Sequence, residues 1–240
     1  MAMVEIEFAR VSVPAVDGVM PAVLCRPSQK ASHAGVLVLM EAFGLTPHIE
    51  EVTARIAREG YVAMAPDLYY RDLPNNKFGY DQVNEGVTVM LRLDTSKVVD
   101  DIRMALRYLK SRGDVVSEKI GVTGFCMGGG FTFLTACELS GDIAAAAPFY
   151  GMVQDEWIQA VRKVTVPMYL FFGGADPFIP PSRVQEIDRR FYELGKSYRI
   201  KVYPGADHGF FCHERSSHNG AAAEDAWAEL THFFAQHLQR

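Results

Sequence analysis

The sequence predicts an α/β fold in which a mainly parallel central sheet carries helices on both faces. Short, β-rich apolar runs alternate with longer amphipathic segments along the chain. Because parallel strands need long crossover connections, this alternation favours a parallel sheet with helical crossovers. The 240 residues can bury one large core, and no repeat, low-complexity tract or linker divides them. We therefore expect a single domain over residues 1–240.

Apolar runs and end signals place the individual elements. Strands are predicted at residues 19–26, 35–40, 61–65, 119–123, 143–149, 168–172 and 198–203. Helices are predicted at residues 48–59, 127–140, 155–163, 181–194 and 218–238, and in two stretches after residue 80. The first helix is the best marked, since Thr46 can cap it, Pro47 suits its first turn and Gly60 ends it. Residues 67–80 are rich in Pro, Asn, Asp and Gly, which predicts a loop or cap.

Composition excludes several functional classes. The net charge is −5 and no basic run is present, which argues against a nucleic-acid partner. The longest apolar stretches, residues 35–40 and 143–147, are far shorter than the roughly 20 residues of a membrane helix. Residues 1–10 contain no apolar segment typical of a secretory signal. The four cysteines form no C-x-x-C pair, so we expect reduced thiols and a cytoplasmic location.

The loop after the predicted strand 119–123 has the pattern of a nucleophile elbow. Its sequence is Gly124-Phe-Cys126-Met-Gly128, with cysteine in the place usual for serine. The flanking glycines allow a sharp strand-to-helix turn that exposes the central side chain. The helix that follows would favour a thiolate at Cys126 through its positive N-terminal dipole. The alternatives are a buried structural cysteine and, less well supported, a dinucleotide loop, which would need G-x-G-x-x-G.

Two further strand ends carry the partners that such a nucleophile needs. Asp176 follows the predicted strand 168–172 on a Gly- and Pro-framed turn, where it could orient an imidazole or merely bond its own backbone. His208 follows the strand 198–203 between small residues. The order Cys126, Asp176, His208, each after a separate strand, is the order of an α/β-hydrolase fold.

Residues 41–45 follow the apolar run 35–40, where this fold supplies its second oxyanion donor from a backbone N–H. Glu41 is unusual there, because a carboxylate directly after a buried strand should meet the active site half-buried. The alternative is an ordinary exposed loop glutamate.

Five motifs together resemble the dienelactone hydrolase (carboxymethylenebutenolidase) family. They are EAFGL at 41–45, GFCMGG at 124–129, APFYG at 147–151, GADP at 174–177 and DHGF at 207–210. The resemblance covers nearly the whole chain. The combination of the cysteine elbow with the glutamate loop, residues 41–45, is specific within the larger superfamily.

The resemblance implies roles for eight residues. These are Cys126 as nucleophile, His208 as base and acid, Asp176 as orienting carboxylate, Glu41 as the group that contacts the resting thiol and helps to form thiolate, Met127 and Ala42 as backbone oxyanion donors, and Phe43 and Tyr150 near the substrate pocket.

One position departs from the family pattern. Well-known members hold the substrate carboxylate with two arginines, one of them four residues after the catalytic histidine, where this chain has Cys212. The other arginine lies in the cap region, where Arg71 and Lys77 are present without a convincing match. Arg215 is a third candidate for the missing cation.

We therefore predict a cysteine-dependent hydrolase that opens a lactone or small ester through an acyl-enzyme at Cys126. The alternatives are a general carboxylesterase or thioesterase acting on neutral esters, and a non-catalytic binding or thiol-sensing protein. No cofactor and no metal is predicted, because His208, Cys212 and His213 lack a second ligand pair at suitable spacing. The expected partner is a small lactone or ester, without nucleic acid or membrane, and the expected state is a monomer or small homo-oligomer.

Overall fold

The computed structural model describes residues 4–72 and 77–239, and these form one eight-stranded sheet in the order β1-β2-β4-β3-β5-β6-β7-β8. The strands are β1 Ile6–Ala15, β2 Gly18–Pro27, β3 His33–Leu39, β4 Val62–Pro66, β5 Val115–Phe125, β6 Ala145–Phe149, β7 Met168–Gly173 and β8 Tyr198–Tyr203. The helices are α1 Pro47–Arg58, α2 Val83–Met90, α3 Thr95–Lys110, α4 Met127–Glu138, α5 Asp155–Ala160, α6 Pro181–Glu193 and α7 Gly220–Leu238.

The predicted α/β architecture is confirmed. Every neighbouring pair from β4 across to β8 is parallel, whereas β1 and β2 pair in antiparallel fashion at one edge. The carboxyl ends of the parallel strands therefore all lie on the same side of the sheet, at the ends of the strands. In sheets of this type, ligands bind at these carboxyl ends.

Helices cover both faces of the sheet, and two glycines show this directly. A Cβ at Gly35 of β3 would point at Leu109 of α3, whereas a Cβ at Gly121 of β5 would point at Phe234 and Leu238 of α7. Gly35 pairs with Ile120, the residue before Gly121, so the two Cβ directions lie on opposite faces. Both glycines let a helix approach the sheet closely.

The N-terminal strand β1 is the main element that the sequence analysis did not predict. It forms a hairpin with β2 around the two turn residues Val16 and Asp17, and Gly18, the first residue of β2, has φ 143°. Most β1 side chains are exposed, so the strand lacks the buried apolar run by which the others were recognised. Of the predicted loop 67–80, residues 73–76 lie outside the described part of the chain.

Within residues 4–72 and 77–239, no helix combines the length and the apolar character needed to cross a membrane.

Candidate active site

The sheet brings the predicted site residues together at the carboxyl ends of its parallel strands. Glu41 follows β3, Cys126 follows β5, Asp176 follows β7 and His208 follows β8. All four side chains are buried or nearly so. These residues, which are up to 167 positions apart in sequence, form one cluster because the parallel strands end side by side.

Cys126 sits in a strained elbow between β5 and α4. Its backbone has φ 55° and ψ −114°, a conformation that a residue other than glycine rarely adopts. A Cβ at Gly124 would collide with the carbonyl oxygen of Gly128, and one at Gly128 with that of Leu39. The glycines on each side of the cysteine are therefore required by the close approach of three chain segments, as the elbow pattern predicts.

Asp176 and His208 form a hydrogen-bonded couple beside this thiol. The distance from Nδ1 of His208 to Oδ2 of Asp176 is 2.8 Å. The other oxygen of Asp176 accepts from the backbone N–H groups of Phe178 at 2.8 Å and Ile179 at 3.2 Å, which fixes the carboxylate. Burial opposes a charge on His208, but hydrogen bonds with Asp176 and Cys126 outweigh it and raise the pKa of His208 to about 10. The couple therefore favours an imidazolium facing the thiol.

Glu41 is fully buried and its two oxygens face different partners. Oε2 accepts a hydrogen bond from the hydroxyl of Tyr80 at 3.1 Å. Oε1 lies 3.5 Å from Nη1 of Arg215, and neither of these two atoms has a hydrogen-bond partner within the described part of the chain. Burial raises the pKa of Glu41, against the opposing effects of Arg215, Tyr80 and His208. The glutamate loop thus holds a carboxylate in a setting that disfavours its charge.

The backbone N–H groups of Ala42 and Met127, the two expected oxyanion donors, lie on the segments that follow β3 and β5. Met127 is the first residue of α4, whose leading N–H groups have no acceptor within the helix. Among the described residues, neither N–H donates to a backbone acceptor. The hydroxyl of Tyr69 donates to the carbonyl oxygen of Ala42 at 2.9 Å and lies 3.5 Å from Sδ of Met127, so it links the two donor segments.

A small cavity of about 70 Å³ opens directly beside the thiol. Its wall is almost wholly apolar apart from the thiol, one imidazole and one guanidinium. It is lined by Ala42, Phe43, Val83, Val87, Met90, Cys126, Met152, Phe178, His208 and Arg215. A larger, mainly apolar cavity of about 340 Å³ shares Met90 and Met152 with it, and its wall also includes Thr95 and Gln154. The cavity beside the thiol therefore offers space suited to an uncharged apolar group and adjoins a second cavity.

Helix α2 roofs this cavity and rests on the loop that carries Ala42. A Cβ at Gly86 of α2 would lie 2.9 Å from the carbonyl oxygen of Ala42. Only glycine lets the helix lie this close to the loop without displacement. The roof of the cavity therefore rests directly on the backbone of Ala42, in the loop that follows β3.

The two residues expected near the substrate pocket lie in different places. Phe43 lines the cavity and packs edge-on against Tyr80, with ring centroids 4.8 Å apart. Tyr150 is fully buried and packs against His208 at a centroid distance of 5.2 Å. The structure therefore places Tyr150 behind the imidazole, outside the set of residues that line the cavity.

Of the three candidate cations, Arg215 is the one that the structure places at the cavity. Arg71 instead binds the buried Asp101 and the exposed Asp17, and Lys77 pairs with Glu50. Cys212 is fully buried, and burial raises the pKa of its thiol to about 12.

Sequence reasoning missed Tyr69 and Tyr80, which hold the glutamate loop from the cap segment. Tyr80 bridges the loop by contacting both Glu41 and the hydroxyl of Thr46 at 3.1 Å. Both tyrosines lie in or beside a stretch that reads as an irregular loop. In the sequence, each is simply an aromatic residue in a Pro- and Asn-rich segment. Such a pattern does not indicate a hydrogen bond to the glutamate loop, about 30 positions earlier in the chain.

The sheet order, the elbow and the residues at the strand ends define an α/β-hydrolase. Comparisons with known proteins identify the family within this class. The Dienelactone hydrolase family model matches residues 20–238. A Synechocystis sp. protein provisionally named carboxymethylenebutenolidase is 32% identical over 246 residues, covering 98% of this chain and 99% of that protein.

Two further similar proteins support the same family. A Bradyrhizobium sp. protein provisionally named 2-oxo-3-(5-oxofuran-2-ylidene)propanoate lactonase is 28% identical, covering 90% of this chain and 89% of that protein. The crystal structure of a provisionally named dienelactone hydrolase from Klebsiella pneumoniae subsp. pneumoniae MGH 78578 superposes with a TM-score of 0.88 at 28% identity, covering 97% of this chain and all of that one. The chain belongs to the dienelactone hydrolase family and is a hydrolase of ester bonds, a class that includes lactones.

Proposed function

We propose that the protein hydrolyses a small lactone or ester through a covalent thioester at Cys126. The observation that carries this proposal is the strained elbow at Cys126, which faces the imidazole of a buried His208–Asp176 couple. A nucleophile, a base and an orienting carboxylate in hydrogen-bonded series are the parts of a catalytic triad.

In the acylation step, the thiolate sulfur attacks the ester carbonyl carbon and forms a C–S bond. The negative charge that develops on the carbonyl oxygen is bound by the N–H groups of Met127 and Ala42. Collapse breaks the bond to the leaving oxygen, which takes a proton from the imidazolium of His208. In a lactone, this oxygen stays tethered to the acyl group.

In the deacylation step, the now neutral His208 removes a proton from water, and the hydroxide attacks the thioester carbon. The C–S bond breaks, and Cys126 returns as thiolate beside the imidazolium. Asp176 holds the imidazole in one tautomer and stabilises its charged form throughout.

We assign Glu41 and Arg215 to the control of charge at this site. Their groups lie 3.5 Å apart with no hydrogen bond between them, so the pair is loosely held and open to exchange. A negatively charged substrate would compete with Glu41 for Arg215 and leave the carboxylate free to accept a proton. Tyr150, behind His208, acts as a positioning residue, whereas Phe43 contacts the substrate.

The cavity favours neutral or weakly charged substrates. When it is ionised, Glu41 offsets the charge of Arg215, and the cavity wall is otherwise largely apolar. Cys212 offers neither the charge nor the two-pronged donor of an arginine. We therefore expect only a modest preference for a carboxylate-bearing lactone such as dienelactone.

The mechanism is tested with p-nitrophenyl acetate under burst conditions. The wild-type enzyme should release one equivalent of nitrophenol rapidly and show a mass increase of one acetyl group on the peptide that contains Cys126. Cys126→Ala should show neither, and Cys137→Ala, which removes a buried thiol elsewhere, should behave as wild type. If wild type and Cys126→Ala released nitrophenol at the same background rate, the result would support a non-catalytic binding protein instead.

Substrate charge is tested by comparing kcat/KM for dienelactone and its methyl ester. We expect a preference for the free acid of about ten- to hundredfold or less, since one charge-assisted contact contributes roughly 1.5–3 kcal/mol. Arg215→Gln should reduce this preference, and Lys77→Gln should leave it unchanged. A preference above about a thousandfold, ~4 kcal/mol, would contradict the proposed weak carboxylate selectivity.

We further propose a reducing, cytoplasmic location. All four cysteines are free and buried, which suits a compartment where thiols stay reduced.

A further inference from the structure

A second cluster of potential ligands lies beside the rings of Phe125 and Phe211. His48 and Glu51 are three positions apart on α1 and so share one face of that helix. His213 comes from the loop after β8. One ligand atom from each of these three residues lies within 4.8 Å of the other two.

His48 is the feature that calls for an explanation. The residue is 1% exposed, and neither ring nitrogen has a hydrogen-bond partner within the described part of the chain. A buried imidazole must leave an N–H donor and a lone pair unsatisfied in such a setting, which is unfavourable. Its ring packs edge-on against Phe125 and Phe211, with centroids 6.2 and 6.0 Å away, so these neighbours supply no polar partner.

The other two side chains can close on this imidazole. Nδ1 of His213 lies 3.7 Å from Oε2 of Glu51, and about half of each side chain is exposed. The ring of His213 meets that of His48 at a centroid distance of 5.7 Å. Two ligands on one zinc ion can be at most about 4.2 Å apart, given bond lengths of roughly 2.0–2.1 Å, so only a small movement of exposed side chains is required.

We propose that His48, Glu51 and His213 bind a divalent transition-metal ion, with Zn²⁺ as the best match. Two imidazoles and one carboxylate form a donor set that zinc uses in proteins, with a fourth position left for water. Imidazole ligands disfavour Mg²⁺ and Ca²⁺, which prefer oxygen. The nearby guanidinium of Arg55, stacked over Trp227 at 4.0 Å, opposes a cation and limits the affinity.

Binding would tie two parts of the active site together. His213 lies in the loop that also carries His208 and Arg215, whereas α1 follows the loop of Glu41 and Ala42. A metal ion bridging these segments would restrain both loops without touching the reacting atoms. The site is independent of the hydrolytic mechanism, so its test does not depend on activity.

The test is a calorimetric titration of the full-length, chelator-treated Cys126→Ala protein with ZnCl₂. Removing this thiol prevents Zn²⁺ from binding between Cys126 and His208. We expect one Zn²⁺ per chain and a higher Tm in its presence. In the same background, His213→Ala and His48→Phe should each weaken binding by about tenfold or more, the second because phenylalanine fills the aromatic site without a nitrogen.

The matched control is His232→Ala, which removes an exposed histidine from α7 and should leave binding unchanged. Co²⁺ in place of Zn²⁺ should give visible bands without the intense thiolate absorption of a cysteine ligand. The proposal is overturned if the parent protein binds no Zn²⁺, if His213→Ala binds as well as the parent, or if His232→Ala loses binding equally.

Discussion

The buried carboxylate of Glu41 should make the folded protein less stable as the pH rises. Burial raises the pKa of Glu41, because its charged form loses hydration and Oε1 has no hydrogen bond in the described structure. Above the ordinary value of 4.5, the unfolded chain releases this proton while the folded chain still holds it. The folded state then binds more protons than the unfolded state, so stability falls with increasing pH.

The size of the effect follows from the same linkage. Between pH 4.5 and the raised pKa of the folded protein, each pH unit costs about 1.4 kcal/mol of unfolding free energy. Glu41→Gln keeps the shape of the neutral acid and cannot ionise. Relative to wild type, this variant should therefore gain about 1.4 kcal/mol per pH unit across that interval. Hydrolysis should fall, because the variant lacks the carboxylate that we propose to accept a proton.

Urea unfolding of both proteins at a series of pH values from acid to neutral measures the difference directly. Glu224→Gln, on the exposed side of α7, controls for the loss of a carboxylate as such. A difference between wild type and Glu41→Gln that stays constant, or that shrinks as the pH rises, would refute the argument that Glu41 is held in a site that disfavours its charge.

Three other outcomes are expected. Iodoacetamide should modify Cys126 first and abolish activity, because Cys126 lines the cavity whereas burial raises the pKa of Cys137 and Cys212 to about 12. A first adduct on Cys137 in peptide mass spectrometry would contradict this prediction. Asp176→Asn should keep the fold by circular dichroism and lower kcat by roughly 10³–10⁴, and wild-type turnover would show that another acid orients the imidazole. Tyr69→Phe should lower kcat about two- to tenfold with little change in KM, because the hydrogen bond to Ala42, in the loop that we propose to bind the oxyanion, is lost. Equal kcat in steady-state assays would mean that the loop needs no such support.

The sequence predicted the parts of the site that depend on local pattern. The motifs around Cys126 and Asp176 each combine a buried strand end with a sharp turn, whereas the strand before His208 is only partly buried. A parallel sheet then brings these strand ends together without further information. The architecture was predicted for the same reason, since β3, β4, β6 and β7 are nearly continuous apolar runs.

Contacts that cross between segments could not be predicted in this way. The pairing of Arg215 with Glu41 joins residues 174 positions apart, and nothing near either residue indicates the other. His48 reads as one polar residue at the start of an amphipathic helix, and only the fold shows that both of its nitrogens are buried. Strand β1 was missed because an exposed edge strand carries no apolar run.

The contact between Gly86 and the Ala42 carbonyl limits how substrate range can evolve in this protein. Shifting α2 to enlarge the cavity would also shift the loop that we propose to bind the oxyanion, so a gain in substrate size would be accompanied by a loss of rate. Exchanging side chains on the cavity face of α2, such as Val83, Val87 and Met90, changes the pocket while the helix stays in place. We expect variation in substrate preference to accumulate at those three positions, with residue 86 remaining glycine.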